Sequence, residues 1–526
     1  MRLLIAPGVG GEPKDDPRYV GMPKLNVVLA DPRLANARDH EQAHDWAGAA
    51  RLLDATRMTL ALDDARACAW AYVSGRLHLA AGEWGEAAAL FDRASSPVTD
   101  SSSSCPLARY AALHQAQALV RLGRYDDAIA RARVAGDDIA ANDEVELVLA
   151  DAHVGKGNRI SAVPIWRALL ATSPRGLRWA DSAIQLATAL NDGVDGSPEL
   201  HAREAFDLAT RVVVEAPAAA ERIDVAGLRS RASSLLGRGV QPQLSLEERA
   251  QQAQAWLESA KPKRAIDLAE ALLKAIPRGG KDHREAGCRA AMVRAQAKPR
   301  GNADDAADAW GSAIARCEGE EALVTALYSG GKASASAHRP AEALERFAKV
   351  EKLFPMHRLA DDACFRGALV ICDQGDEPRG LAMLASLPDN YPDGDMGGEA
   401  LFRVALARLG RQDFDGAREA LDRLLSAGLD GGRSSPGRGA YFRARVSQLS
   451  GDVDDAQRRY AAIISEQPLG YYMLLAHARL REMSEDVARS TIEAGVAREP
   501  SGPFLTREHP EIASPGFERF ERLLEV

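Results

Sequence analysis

Aromatic residues make up only 5% of this 526-residue chain, and the enrichment in Val, Ile, Tyr and Phe that sheets require is missing. A β-rich fold would work against the propensity of nearly every segment. Cysteine is also scarce. Cys68, Cys105, Cys288, Cys317, Cys364 and Cys372 are the six, and none falls in the close spacing of a metal knuckle. That count argues against a disulfide scaffold and leaves open an isolated bridge. There is no long run of one charge sign: 66 basic and 75 acidic residues are spread along the chain for a net charge of -9. This excludes a nucleic-acid-binding tail and a polybasic membrane anchor. No apolar stretch approaches the roughly 20 residues needed to span a bilayer, so no transmembrane segment is expected. Met1 to Gly11 has one basic residue and a short apolar stretch broken by Pro7 and glycines, too weak for a signal peptide. A glycine-rich phosphate loop is absent as well. Asp430-Gly431-Gly432-Arg433 has two glycines without the motif's spacing and reads as a breaker between helices.

Hydrophobic residues reach 46%, and Ala, Leu, Arg and Glu dominate, the composition of helices. At this length the chain must form several domains or one extended repeat array. The internal pattern favours the array. A glycine between two apolar-periodic segments is followed about five positions later by a small residue: Gly82 and Ala87, Gly123 and Ala128, Gly157 and Ala162, Gly375 and Gly380, Gly451 and Ala456. Gly410 with Ala417 reads as a variant two residues longer. Glycine takes the left-handed conformation that ends a helix, and a small residue one turn into the next helix lets the two approach. In the segment Tyr72 to Ala94, Val73, Leu77 and Leu79 form a stripe that faces Trp84, Ala87, Ala88 and Phe91.

The turns at 82, 123 and 157 are 41 and 34 residues apart, close to the tetratricopeptide period but less regular. The expected fold is therefore all-α, a tetratricopeptide-like right-handed α-solenoid or curved superhelix. We expect an irregular N-terminal segment over 1–35, helical-repeat sections over 36–236 and 245–330, C-terminal superhelical repeats over 340–482, and the start of a helical linker over 483–526. Breaker-rich loops are expected at Ser101 to Cys105, Asp192 to Pro198, Gly237 to Leu244, Ser329 to Arg339 and Asp430 to Arg438.

Apparent chemistry is sparse. His40, Glu41 and His44 have metalloprotease-like spacing, two imidazoles one helical turn apart with a carboxylate between them. However, His44 falls at the inter-helix turn that Gly82 occupies elsewhere, and no third ligand is apparent, so a surface helix end is expected and no metal. Glu258-Ser259 resembles the acid of sugar-cleaving sites only as a dipeptide, and a solvated turn is expected. Arg458-Arg459 belongs to a mixed-charge helix surface. Trp46, Trp84, Tyr125, Trp166 and Phe414 follow the helical pattern and read as repeat packing. No catalytic residue and no cofactor is expected from these features.

A less generic pattern lies near the end. Gly439-Ala440-Tyr441-Phe442-Arg443-Ala444-Arg445 leads through Gly451-Asp452, Ala456 and Tyr460 to Leu469-Gly470-Tyr471-Tyr472-Met473-Leu474-Leu475-Ala476. This resembles the end of the superhelical (U-type) domain of soluble lytic murein transglycosylases, where an aromatic-Arg-Ala-Arg helix precedes a tyrosine pair leading into a Leu-Ala helix. The residues that carry the resemblance are Tyr441, Arg443, Arg445, Tyr471, Tyr472, Leu475 and Ala476. The likeness is strongest over residues 340 to 480 and extends to Phe504-Leu505, His509-Pro510 and Phe517 to Val526. It implies a periplasmic or envelope-associated chain that contributes a substrate-facing surface, while glycan cleavage belongs to a lysozyme-like domain with no counterpart in residues 1–526. The expected function is a non-catalytic helical-repeat scaffold that binds a protein partner or peptidoglycan, and not nucleic acid. The alternative is part of a transglycosylase whose active domain lies beyond Val526.

Overall fold

The computed structural model describes residues 34–58, 64–95, 107–136, 142–176, 178–221, 223–237, 243–277, 282–297, 302–430, 436–467 and 470–497. Among them every regular element is a helix and there is no strand. None of these helices is long and apolar enough to cross a membrane. The helices fall into two compact units, the first ending at Gln243 and the second beginning at Leu244.

The first unit opens with α1 (Ala35–Gln42), α2 (Trp46–Arg57), α3 (Asp64–Ala81) and α4 (Trp84–Ser95). It continues with α5 (Ala108–Arg121), α6 (Tyr125–Ala135), α7 (Asn142–Gly155) and α8 (Arg159–Thr172). It closes with α9 (Trp179–Asn191), α10 (Pro198–Glu215), the single turn α11 (Pro217–Ala220) and α12 (Val225–Leu236). The second unit starts with α13 (Leu246–Glu258), α14 (Pro262–Ala275), α15 (Arg284–Ala297) and α16 (Ala303–Arg316). Next come α17 (Leu323–Ser336), α18 (Pro340–Leu353), α19 (Ala360–Asp373), α20 (Glu377–Asn390) and α21 (Gly397–Gly410). Finally, α22 (Phe414–Ser426), α23 (Arg438–Leu449), α24 (Val453–Glu466), α25 (Tyr471–Met483) and α26 (Glu485–Ala497) complete it. In each unit the helices pack in chain order, first helix on second and second helix on the next pair. This is an all-α, tetratricopeptide-like solenoid of stacked helix hairpins.

One turn geometry recurs through both units. In most of the described hairpins a residue just past the first helix takes positive φ, and the following N–H donates back to a carbonyl five residues earlier: Glu83 to His78 at 2.9 Å, Lys261 to Trp256 at 3.0 Å, Arg339 to Ser334 at 2.8 Å, Asp452 to Ser447 at 2.9 Å. Instead, α25 passes to α26 through Ser484 at φ -157°. This closure satisfies helix-end carbonyls that would otherwise be orphaned. Five residues after the positive-φ position comes a buried small residue, such as Ala49, Ala87, Ala265, Ala343 or Ala456, against which the first helix rests. Where Asp follows the turn it caps the second helix; Asp45 Oδ1, for example, accepts from the Gly48 N–H at 2.9 Å.

Glycine is not required at this turn. His44, Ala260, His338 and Gln412 occupy it with φ of 59°, 57°, 55° and 61°. This corrects the reading of Gly410. That residue is the last of α21, the turn is at Gln412, and Ala417 follows it by the usual five positions, so the hairpin is not longer than the others. In the second unit the turns at 338, 375, 412 and 451 are spaced by 37, 37 and 39 residues, a steadier period than the glycines alone indicate.

The loop expected at Ser329 to Arg339 is also corrected: Ser329 to Ser336 lie within α17. Gly330 and Gly331 mimic a breaker in sequence, but in space they admit a neighbour. A Cβ on Gly331 would stand 2.6 Å from the Phe347 ring of α18. Of the other expected loops, Asp192 to Ser197 falls between α9 and α10, whereas 238–242, 431–435 and 101–105 lie outside the described residues. A disulfide joins Cys288 on α15 to Cys317 at the end of α16, and Cys68 is disulfide-bonded as well, so the chain holds more than one bridge. Cys364 and Cys372 on α19 are free thiols.

Candidate functional site

The metalloprotease-like residues are drawn into helix-end roles. Because α1 stops at Gln42, His44 lies in the left-handed turn, where its ring is 5.4 Å from that of Trp46. The His40 Nδ1 lies 2.7 Å from Asp45 Oδ2, on the carboxylate that caps α2. The two imidazoles therefore do not share a helix face. Glu258 ends α13, accepting from the Gln254 amide at 3.0 Å, and Ser259 donates to the Ala255 carbonyl at 2.8 Å. Arg458 and Arg459 pair with Asp455 at 3.1 and 2.7 Å. Asp430 accepts from the N–H groups of Gly439 and Ala440 at 2.5 and 3.1 Å, bracing the start of α23; Gly431, Gly432 and Arg433 lie outside the described residues. Trp46 and Trp166 are buried in repeat cores, and Tyr125, Trp84 and Phe414 are partly covered.

A carboxylate cluster on α19 and the loop before α21, Asp361, Asp362 and Asp395, has oxygens within 4.8 Å of one another. Its two better-buried members have protein donors. Asp361 accepts from the Met396 N–H at 3.1 Å, and Asp362 accepts from the Tyr328 hydroxyl at 3.1 Å. The first bond ties the loop into α21 to α19, and the second ties α19 to α17.

The residues of the family-like motif divide between bracing and display. Arg443 is buried on α23 and reaches two other helices: its Nε donates to Asp422 at 2.7 Å, and its Nη1 to Ser447 at 2.6 Å and Asp455 at 3.3 Å. Burial opposes the charge on Asp455. The Ser447 hydroxyl and the Arg459 and Arg443 guanidiniums outweigh it and hold the carboxyl at about 2. Arg443 thus spends its charge tying α22, α23 and α24 together. Arg445 donates to the Gln448 amide oxygen at 2.6 Å, which also accepts from the Tyr460 hydroxyl at 3.0 Å. Ala476 is fully buried, and Leu475 packs at the edge of the same core.

The aromatic members form a continuous band. Ring centroids run from Phe402 on α21 to Phe442 at 5.1 Å, Phe442 to Tyr441 at 5.4 Å, Tyr441 to Tyr472 on α25 at 5.7 Å, and Tyr472 to Tyr471 at 5.2 Å. These separations suit edge-to-face and offset ring contacts. Arg438 lies over the Phe402 ring at 4.0 Å, and it shares Glu399 with Arg403, at 2.9 and 3.0 Å. The band starts buried and ends in solvent: Tyr471 is 67% exposed and Leu474, one turn further along α25, is 62% exposed. The structure thus brings Tyr441, Tyr471 and Tyr472 together and sends Arg443 to the opposite side of α23. Sequence reading missed Phe402, although it and Tyr441 each precede their own turn residue, Gln412 and Gly451, by ten positions. Aligning on the turn would have revealed it.

No protein-family model matches the chain, and no curated protein does. Solved structures of helical repeats match it at low identity. The complex of Naa15/Naa10 bound to HypK-THB is 14% identical, covering 93% of this chain and 80% of that one, with a TM-score of 0.31. The APC/C hetero-tetramer Cut9-Hcn1 is 13% identical, with coverages of 86% and 83% and a TM-score of 0.28. The P58(IPK) TPR domain is 14% identical, with coverages of 74% and 99% and a TM-score of 0.21. Likenesses this shallow say nothing about what the chain does, and the repeat architecture rests on the hairpin geometry.

Proposed function

We propose that the chain is a non-catalytic helical-repeat scaffold that binds a protein partner through the aromatic band of α21, α23 and α25. The observation that carries this reading is the run of five touching rings that emerges into solvent at Tyr471 beside Leu474. Aromatic and arginine side chains at the edge of a packed core are the composition of binding hot spots, because they offer large contact area at low entropic cost. A photo-crosslinking residue at position 471 should yield a discrete adduct in the source cell, and the same residue at position 418 on α22 should not. Equal adducts at both positions, or none at 471, would sink the proposal.

A second reading is supported by Tyr441, Arg443, Arg445, Tyr471 and Tyr472, which resemble the transglycosylase superhelix: the band faces peptidoglycan, and cleavage belongs to a domain beyond this chain. Co-sedimentation with insoluble peptidoglycan tests the contact, and analysis for anhydromuramyl ends tests the chemistry. Binding without product is the expected result under this reading. Product that disappears on Glu258→Gln would overturn the assignment of Glu258 to a helix end.

A further inference from the structure

The three first helices that carry the band, α21, α23 and α25, hold seven arginines against Glu399 and Glu482, whereas their second helices, α22, α24 and α26, hold five arginines against nine acidic residues. Charge is therefore segregated by helix position, in a chain whose net charge is -9. Part of the positive charge is spent internally: Arg443 on Asp422 and Asp455, Arg408 on Glu419 at 3.3 Å, and Arg479 on Glu482 at 2.8 Å. The remainder is not neutralised. Arg438 and Arg403 share the single carboxylate of Glu399, Arg445 bonds to a neutral amide, and Arg481 is exposed with no carboxylate partner among the described residues. This surplus lies on the same helices as the rings.

We propose that the band's occupant is an acidic, extended segment of a partner protein, with carboxylates on Arg403, Arg445 and Arg481 and an aromatic or leucine side chain against Tyr471 and Leu474. This rests on the scaffold reading above and narrows it to a partner chemistry. Guanidinium groups pair with carboxylates in a planar, two-bonded geometry, and an already half-neutralised set such as Arg438, Arg403 and Glu399 is pre-oriented for an incoming acid. The rings supply the apolar anchor, and the charge supplies the choice of partner and the rate of encounter. An unstructured acidic segment with sparse aromatics matches both, since such segments order on binding.

Titration of the full chain with a fluorescein-labelled random copolymer of glutamate and tyrosine, read by anisotropy, tests the proposal. We expect saturable binding that weakens about tenfold or more between low and high salt, and no comparable binding of a lysine-tyrosine copolymer. Arg403→Gln with Arg481→Gln should weaken it about tenfold, whereas Arg418→Gln with Arg458→Gln on the second helices should not; helical circular dichroism and melting confirm that both variants fold. Equal affinity for the lysine copolymer, or equal affinity for heparin as for the glutamate copolymer, overturns the proposal, as does insensitivity to the first-helix variant. If the copolymer fails to bind but a position-471 adduct still forms, the acidic partner is wrong and the scaffold reading stands. If the copolymer binds as expected and no adduct forms, the scaffold reading is what fails.

Discussion

His78 Nε2 lies 2.9 Å from Asp54 Oδ2, linking α3 to α2 across 24 residues of chain, while its Nδ1 lies 2.5 Å from Glu83 Oε2 before α4. A neutral imidazole has one donor and one acceptor, so only the imidazolium satisfies both carboxylates. Burial disfavours the charged ring, but the hydrogen bonds to Asp54 and Glu83 outweigh it and raise the His78 pKa above its ordinary value. Asp54, where burial is likewise outweighed by His78 and the Ser74 hydroxyl at 2.6 Å, is held below the usual carboxylate value.

The first prediction is the pH dependence of this lock. Because the folded pKa of His78 is raised, its stabilisation is complete below the unfolded value of about 6.5 and is lost as pH rises through the folded value. Because that of Asp54 is depressed, its stabilisation is present above about 3.9 and is lost as pH falls through the folded value. His78→Gln should therefore cost the first unit about 1–3 kcal/mol near pH 5–6, and less above the raised His78 pKa. Denaturation of the two proteins across pH checks this. A His78 ring that titrates by NMR at or below 6.5 would contradict it.

The second prediction concerns the turns without glycine. Gln412 holds φ at 61°, a conformation that costs an L-residue roughly 1 kcal/mol and glycine nothing. Gln412→Gly should raise stability by up to about 1 kcal/mol, less the extra freedom glycine gives the unfolded chain. Ala417→Leu, five residues on in a fully buried position, should lower it by about 1–3 kcal/mol through overpacking. Urea denaturation of both variants tests the shared register, and a destabilised Gln412→Gly protein would count against it.

These positions also mark how far the sequence could be read. The hairpin repeat was legible because most turns use glycine and nearly all keep the buried alanine five residues later. The register slipped at Gly410 because the true turn residue, Gln412, carries no local signal; its conformation is imposed by the helices packed on either side. Gly330 and Gly331 misled in the opposite direction, since composition does not distinguish a breaker from a glycine that admits Phe347. At the site, Tyr441, Tyr471 and Tyr472 stood out as a local pattern. Phe402 and Glu399, the partners of Arg438, are brought in from a neighbouring hairpin, and such pairings exist only once the hairpins stack.

The third prediction concerns Cys288 and Cys317, which close a loop over a sequence separation of 29. A crosslink of this span restricts the unfolded chain, so Cys288→Ser with Cys317→Ser should cost the second unit about 4 kcal/mol at most. Alkylation in denaturant before reduction should label Cys364 and Cys372 and spare Cys288 and Cys317. In the folded protein Cys364 should react slowly, because burial, reinforced by Glu351, pushes its thiol up to about 12. Peptide mass mapping reads both results, and full labelling of Cys288 without reductant would refute the bridge.

The fourth prediction separates the two kinds of residue within the family-like motif. Arg443 is buried against Asp422, Ser447 and Asp455, so Arg443→Ala removes the charge-assisted bonds that tie α22 and α24 to α23. Because Asp455 keeps Arg458 and Arg459 and Asp422 is half exposed, the loss should cost about 1–3 kcal/mol. The bond network holds Asp455 at about 2, so its share of this stability is present above about 3.9 and is lost as pH falls toward 2. Tyr471, mostly in solvent and touching only Tyr472 among the rings of the band, should behave in the opposite way: Tyr471→Ala should change stability by less than about 1 kcal/mol yet weaken partner binding about tenfold. Measuring melting and binding for both variants places each residue. If Arg443→Ala melts like the parent protein, Arg443 is not a brace; if Tyr471→Ala binds like the parent, the exposed end of the band is not where the partner docks.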